Sequence, residues 1–328
     1  TVRRSRPPTA AAELRALGFS KIRTFPFATR HLQQSQILIE TIKLKIHLTH
    51  LDSLGVKHAS TKNLTYLQLI KHLTFAGIGG WWGPSLMMRY AGNLFEFGQY
   101  YGVFGAPFHL PYPIEHDPTE RNYLSNRLGK AIADYLCKDI YKAKYTHSYE
   151  GAMYAAGHPL IGERPDFYCD TGTQTFAVEA KGFTVTSVSD NKMMEHKAQS
   201  TSGPLLVNFS VASVAYDLYR NPKVKFYDPP SDDARYDKNL NLMLRTTYYR
   251  SILEFIKLSG WFEAEPSVEG AFDRFRSVQR GRRIDIILSK GIYQGAWQDV
   301  GWTIDSEKTS DEGRYVDLDG VGLALAMD

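Results

Sequence analysis

The strongest constraint on the fold of this chain comes from two strand-like runs joined by a tight connection. The runs occupy 164–170 and 175–184, and the four residues 171–174 between them include a glycine. Runs rich in aromatic and β-branched residues on both sides of such a connection are typical of a β-hairpin. Pairing Asp170 with Thr175 sets the register of the hairpin, because the connection fixes which residues lie opposite each other.

That register places three charged side chains on one face. Asp166 lies opposite Glu179, with Cβ atoms ~5 Å apart, and Lys181 is two residues further along on the same face. Two carboxylates this close repel each other unless a cation lies between them. Oxygen ligands favour Mg²⁺ or Mn²⁺, and a lysine ammonium can orient or activate a water or neutralise a phosphate. The arrangement predicts metal-dependent phosphodiester hydrolysis.

A surface hairpin with a cross-strand ion pair between Asp166 and Lys181 is the alternative interpretation. Such a pair requires neither a second acid nor the apolar residues that flank 179–181. Two similar tripeptides, at 190–192 and 195–197, lie in a polar stretch without strand character. The strand context therefore favours 179–181 as the chemically important tripeptide.

These residues resemble the signature of the PD-(D/E)xK nuclease superfamily. A Pro-Asp dipeptide ending at Asp166 is followed by Glu179-Ala180-Lys181, and the resemblance covers about residues 119–228. It implies a mixed central sheet flanked by helices, in the order α-β-β-β-α-β. It also implies that Asp166 and Glu179 are metal ligands, that the carbonyl of Ala180 is a further candidate ligand, and that Lys181 is the catalytic lysine.

The resemblance suggests further site residues on the neighbouring helices. Many members add an acid from the first core helix or just after it, and here Glu150 is the first candidate, with Glu120 and Asp134 behind it. Some members place a glutamine or lysine on the helix after the motif. Lys197 and Gln199 occupy that region and are the corresponding candidates for nucleic-acid contact.

The rest of the sequence predicts an α/β protein with three regions. A mainly helical, aromatic-rich region covers 1–118, and the core implied by the resemblance covers 119–230. A mixed region, either separate from the core or continuous with it, covers 231–328. Hydrophobic periodicity supplies the element predictions. Helices are expected at 32–54, 62–76, 119–143, 187–200 and 238–258, and further strands at 204–216, 223–227 and 283–289.

The charge distribution is compatible with a polyanionic partner. The chain has 39 Lys+Arg and 35 Asp+Glu, a net charge of +4. Residues 303–328 carry seven acids and two bases, a net of −5, so the remainder is +9. Segment 272–283 adds two phenylalanines to five arginines, which predicts nucleic-acid contacts, with a solvated basic face as the equal alternative. The arginines are Arg274, Arg276, Arg280, Arg282 and Arg283.

Cysteine content and hydropathy indicate the compartment. Cys137 and Cys169 are too few for a disulfide framework or a four-cysteine zinc site. The most apolar stretch, 73–88, is too short and glycine-rich to span a bilayer, and no apolar run follows the basic N-terminus. We therefore expect a cytoplasmic, nucleoid-associated protein with no membrane partner.

Together these features predict a Mg²⁺-dependent endonuclease that acts on DNA, with RNA less favoured. The resemblance implies a homodimer and a context in restriction or antiphage defence, and a protein partner is left open. Two alternatives stay open as well. One is a non-catalytic nucleic-acid-binding module that keeps the fold, and the other is an interaction protein that uses the aromatic-rich region 77–108.

Overall fold

A mixed β-sheet of seven strands organises the first two-thirds of the structure. The computed structural model describes residues 43–79, 83–98, 100, 108–228, 236–278, 284–298, 308–311 and 313–325, and all of them belong to one unit, Leu38–Asp328. The strands are β1 (Lys43–Leu51), β2 (Lys57–Thr65), β3 (Tyr145–Ser148), β4 (Phe167–Asp170), β5 (Thr175–Gly182), β6 (Phe209–Tyr216) and β7 (Lys223–Tyr227). Their order across the sheet is β2-β1-β7-β6-β5-β4-β3. Only β1–β7 and β5–β6 are parallel neighbours.

Helices pack against this sheet, and several of them begin at residues whose side chains satisfy free N–H groups of the first turn. Asp117 accepts hydrogen bonds from the N–H groups of Thr119 and Glu120, and Ser189 and Asp237 cap two other helices in the same way.

The α/β class, with a mixed central sheet flanked by helices, is confirmed. The helices are α1 (Tyr66–Phe75), α2 (Gly83–Phe97), α3 (Tyr112–Glu115), α4 (Pro118–Ile140), α5 (Tyr149–Ala155), α6 (Asp190–Ser200) and α7 (Lys238–Leu258).

The region that holds the candidate site runs from α4 to β6. Apart from the short α5, its elements follow the order helix, three strands, helix, strand. The first of these strands, β3, has no clear sequence signal and is recognised by its pairing with β4, where Tyr145 lies opposite Asp170. The third and fourth strands, β5 and β6, are parallel and are joined through α6.

The prediction of a helix over 32–54 is wrong for residues 43–51, which form β1. Leu44, Ile46 and Leu48 are buried and alternate with more exposed residues, so the apolar period is two rather than 3.6. β1 pairs with β2 and extends the main sheet next to β7. The described part of the N-terminal region therefore contains two strands in addition to its helices. The predicted helix at 62–76 begins only at Tyr66, because residues up to 65 belong to β2.

A second, antiparallel sheet of six strands lies in the C-terminal part of the described chain. Across this sheet the order is β11-β12-β13-β10-β9-β8. No helix in the described ranges is both long and apolar enough to cross a membrane. The strands are β8 (Ser267–Glu269), β9 (Phe272–Phe275), β10 (Ile284–Ser289), β11 (Thr309–Asp311), β12 (Arg314–Val316) and β13 (Val321–Leu325).

A buried ionic cluster connects this second sheet to the helices. The Nζ atom of Lys71, on α1, lies 3.0 Å from Asp317 and 2.5 Å from Asp319, in the turn between β12 and β13. Lys138, on α4, contacts the same two carboxylates, and the hydroxyl of Tyr248, on α7, donates to Asp319 at 2.6 Å. All five side chains are almost completely buried. Buried charges persist only when they are paired, so this cluster fixes the turn against three helices.

Candidate active site

The hairpin formed by β4 and β5 has the predicted register. Asp170 pairs with Thr175, and Phe167 pairs with Val178. The ladder ends one residue short of Asp166, whose N–H donates to the carbonyl of Val178 at 2.9 Å. Asp166 is therefore held beside β5 by its backbone, next to the segment that contains the second acid and the lysine.

The structure brings Asp166, Glu179 and Lys181 together and adds a second lysine to them. Oδ2 of Asp166 accepts the N–H of Ala180 at 3.0 Å, and Oδ1 lies 2.7 Å from Nζ of Lys130, on α4. Nζ of Lys181 forms an ion pair with Oε1 of Glu179. Each carboxylate thus has one ammonium group beside it.

Glu179 is electrostatically the most unusual member of the group. Its side chain is 1% exposed, and beyond the ion pair with Lys181 its oxygens accept no hydrogen bond from the described residues. Burial, with the nearby charge of Asp166, raises its pKa to about 7, although Lys181 and Lys130 act in the opposite direction. A buried carboxylate with so few donors is suited to accept a cation.

Lys181 keeps its charge at neutral pH. Burial acts to lower the pKa of this lysine, but Glu179 and Asp166 outweigh burial and raise it. An ammonium with a raised pKa donates hydrogen bonds and neutralises negative charge rather than removing a proton. In this arrangement Lys181 is therefore an electrostatic and hydrogen-bonding group.

Two glycines set the distance between α4 and the end of β5. A Cβ atom at Gly129 would lie 2.5 Å from the carbonyl carbon and oxygen of Lys181, and one at Gly182 would collide with the carbonyl oxygen of Ser125. Only residues without a side chain permit so close an approach of the two backbones. This contact brings Lys130, the neighbour of Gly129, within reach of Asp166.

Sequence reasoning missed Lys130 and also His196. His196 lies on α6, is 7% exposed, and its ring is 6.0 Å from the ring of Phe183. Burial, followed by the charge of Lys181, lowers the pKa of His196. Neither residue belongs to a local motif. For Lys130, the sequence signal is the glycine directly before it, because a glycine inside a long helical pattern can mark a close approach of another backbone.

The additional acids proposed from the resemblance have other partners. The carboxylate of Glu150, on α5, is bound by the guanidinium of Arg164 and is about half exposed. Asp134 is buried and contacts His72 at 2.5 Å. Glu120 is exposed in the first turn of α4. The structure therefore does not add a third acid to the pair, and the catalytic role of Glu150 stays a prediction.

The two candidates on α6 differ in their exposure. Lys197 is 8% exposed, and its Nζ donates to the hydroxyl of Ser210 at 2.6 Å. Burial lowers the pKa of Lys197 to about 8. The helix face that carries Lys197 packs on β6, so this side chain does not lie on a surface where it could contact nucleic acid. Gln199 is partly exposed, and its predicted contact stays a prediction.

The arginine segment is not a continuous basic face. Arg274 is 6% exposed, because β9 lies inside the second sheet, and its Nε donates to Asp285 at 2.7 Å. Its predicted nucleic-acid contact is therefore corrected to a buried ion pair. Arg276 is exposed. Arg280, Arg282 and Arg283 lie outside the described residues, so their predicted contacts stay predictions.

The donor set fits a hard divalent cation that keeps part of its water shell. Within the described ranges, no group of three or more His, Cys, Asp or Glu side chains is arranged to hold a metal ion. Asp166 and Glu179 supply two carboxylates, and Mg²⁺ is commonly bound through one or two carboxylates, waters and substrate phosphates. The buried, poorly hydrogen-bonded oxygens of Glu179 agree with such a ligand.

The chain matches no protein-family model, and comparisons with curated proteins and with solved structures also gave no match. What the site does is therefore inferred from its residues, their contacts and their charges.

Proposed function

We propose that this protein is a metal-dependent nuclease with a restriction-endonuclease-like core, and that it hydrolyses phosphodiester bonds in DNA. The observation that carries the proposal is the burial of the Glu179 carboxylate, which has no partner among the described residues beyond Lys181 and lies beside Asp166. A surface ion pair would not require a second, buried acid. The order of elements from α4 to β6 supports the same conclusion, because it agrees with the order that the sequence resemblance implies.

The residues divide the chemistry between them. Asp166 and Glu179 would hold Mg²⁺ or Mn²⁺, and the bound ion would stabilise negative charge on the scissile phosphate. Lys181 would exchange its ion pair with Glu179 for hydrogen bonds to the attacking water or to a phosphate oxygen. The N–H of Ala180 keeps one oxygen of Asp166 oriented. The carbonyl of Ala180 stays a predicted ligand.

The test is cleavage of linear, circular and single-stranded DNA and of RNA, each with Mg²⁺, Mn²⁺ or EDTA. Asp166→Asn, Glu179→Gln and Lys181→Met should each reduce cleavage by at least about 100-fold, while circular dichroism spectra stay unchanged. Lys192→Met and Glu195→Gln are matched controls, because this exposed ion pair of the same residue types lies on α6. Equal cleavage by the site variants and by the controls would show that the site is wrong.

A non-catalytic nucleic-acid-binding module is the second candidate. It is favoured by one observation: each carboxylate already has an ammonium partner, Lys130 for Asp166 and Lys181 for Glu179. This candidate predicts salt-sensitive binding of nucleic acid and no cleavage with any divalent ion. DNA rather than RNA as substrate, a homodimer, and a role in restriction or antiphage defence all stay predictions.

A further inference from the structure

A cavity lies between α1, α2 and α4, and one of its lining residues pairs with a member of the carboxylate pair. Its volume is about 450 Å³, within the usual range for ligand pockets. Lys130 lines this cavity, and its ammonium group is 2.7 Å from Oδ1 of Asp166. One side chain thus belongs to both the cavity and the candidate active site.

Three basic side chains line the cavity together with small and apolar residues. Arg89, Arg127 and Lys130 line it, with Glu96 as the one carboxylate among the lining residues that the structure describes. Burial and the nearby charge of Arg127 lower the pKa of Arg89 to about 10. Two guanidinium groups that repel each other in a partly buried space favour an anion between them.

The other wall offers an aromatic face. Tyr123 is 58% exposed and lines the cavity. The guanidinium carbon of Arg127 is 5.3 Å from the centre of the Tyr123 ring and 4.9 Å from that of Phe97, so the arginine lies between two rings. An exposed aromatic ring beside phosphate-binding cations is the combination that stacks a base of a single strand.

Arg127 is held in place on the other side by two hydrogen bonds. It donates to the carboxylate of Glu96 at 2.6 Å and to the side-chain oxygen of Asn93 at 2.5 Å. Arg89 donates to the carbonyls of Leu73 and Ala76, near the end of α1. Both guanidinium groups are therefore positioned before any ligand binds, which lowers the entropy cost of recognising one.

We propose that this cavity binds one nucleotide of the substrate strand, adjoining the phosphate that is cleaved. Arg89, Arg127 and Lys130 would contact its phosphate group, and Tyr123 would stack on its base. The inference rests on the proposed nuclease function, because Lys130 both lines the cavity and pairs with Asp166 of the proposed active site. It adds a substrate-binding site that is separate from the Asp166 and Glu179 carboxylates.

The experiment measures binding of thymidine 5′-monophosphate to the full chain by calorimetry in EDTA, with thymidine and inorganic phosphate as separate probes. The nucleotide should bind at least about tenfold more tightly than either part. Tyr123→Leu and Arg127→Met should each weaken binding by about tenfold or more. Arg250→Met is the matched control, because Arg250 is exposed on α7 and is also paired with a glutamate. It should leave binding unchanged.

Cleavage of a short oligonucleotide gives a second readout. Tyr123→Leu should raise KM and leave kcat nearly unchanged, because Tyr123 would contact the base and not the phosphate that is cleaved. Tyr123 is exposed, so this variant folds even if Arg127→Met does not. The inference is overturned if phosphate alone binds as tightly as the nucleotide, or if Tyr123→Leu binds and cleaves like the wild-type protein. The proposed function fails separately, if no divalent ion supports cleavage while nucleotide binding persists.

Discussion

Replacing Glu179 by glutamine separates the effect of its negative charge on folding stability from its proposed role in catalysis. Glutamine has nearly the shape of the glutamate but cannot ionise. In the wild-type protein the side chain is 1% exposed, and its pKa rises from the ordinary value of 4.5 to about 7. Ionisation is therefore less favourable in the folded protein than in the unfolded chain.

The magnitude follows from the size of that change. Each pH unit of difference between the folded and unfolded pKa corresponds to about 1.4 kcal/mol, so ionised Glu179 costs the folded state about 3 kcal/mol. The pKa is raised in the folded state, so the cost is absent below pH 4.5, grows between pH 4.5 and 7, and is complete above pH 7. Glu179→Gln should be more stable than the wild-type protein by about 3 kcal/mol at pH 8, and by less than about 1 kcal/mol at pH 5.

Urea unfolding of both proteins in EDTA, at pH 5 and at pH 8, measures this difference. Addition of Mg²⁺ or Mn²⁺ at pH 8 should then stabilise the wild-type protein and have a much smaller effect on the variant, because the variant keeps only one of the two proposed carboxylate ligands. Equal stability of the two proteins at pH 8 without metal would refute the reasoning. So would a pH-independent difference, because it would come from packing and not from ionisation.

Three further substitutions test the framework of the site. Gly182→Ala places a Cβ against the carbonyl of Ser125 and should cost several kcal/mol in thermal unfolding, whereas Gly92→Ala, where nothing lies within 4 Å, should be neutral or slightly stabilising. Asp319→Ala removes one carboxylate partner from each of two buried ammonium groups. It should lower the free energy of unfolding, measured by urea denaturation, by about 3–5 kcal/mol. Because burial depresses the pKa of Lys197 to about 8, Lys197→Met should be more stable than the wild-type protein at pH 7, with the gain disappearing as the pH rises from 8 to 10.5. A gain that persists at pH 10.5 would contradict this prediction.

The hairpin could be predicted from sequence because its geometry is local. The connection between β4 and β5 fixes the register, and the register alone brings Asp166 beside the strand that carries Glu179 and Lys181. The helix α7 and the strand β7 also have the predicted bounds, because their apolar periods are regular and their ends are well marked.

The sequence does not indicate which distant element packs over the hairpin. Lys130 reaches Asp166 only because α4 lies against β5, and that contact depends on two glycines far apart in sequence. Arg274 looks like a surface residue in a basic segment. Its burial depends on Asp285 in the neighbouring strand β10, which compensates the charge. In both cases a long-range contact decides the role of a residue whose local sequence is ambiguous.

The buried cluster also sets an order of events during synthesis of the chain. Lys71 and its partner Asp319 are 248 residues apart, so the ribosome must make nearly the whole described chain before this ammonium group can be neutralised. The helix α4 carries both Lys138 of the cluster and Lys130 of the site. We therefore expect that a nascent chain ending before the β12–β13 turn remains sensitive to protease. Any activity of the site formed by α4 and β5 would thus wait until that turn has left the ribosome.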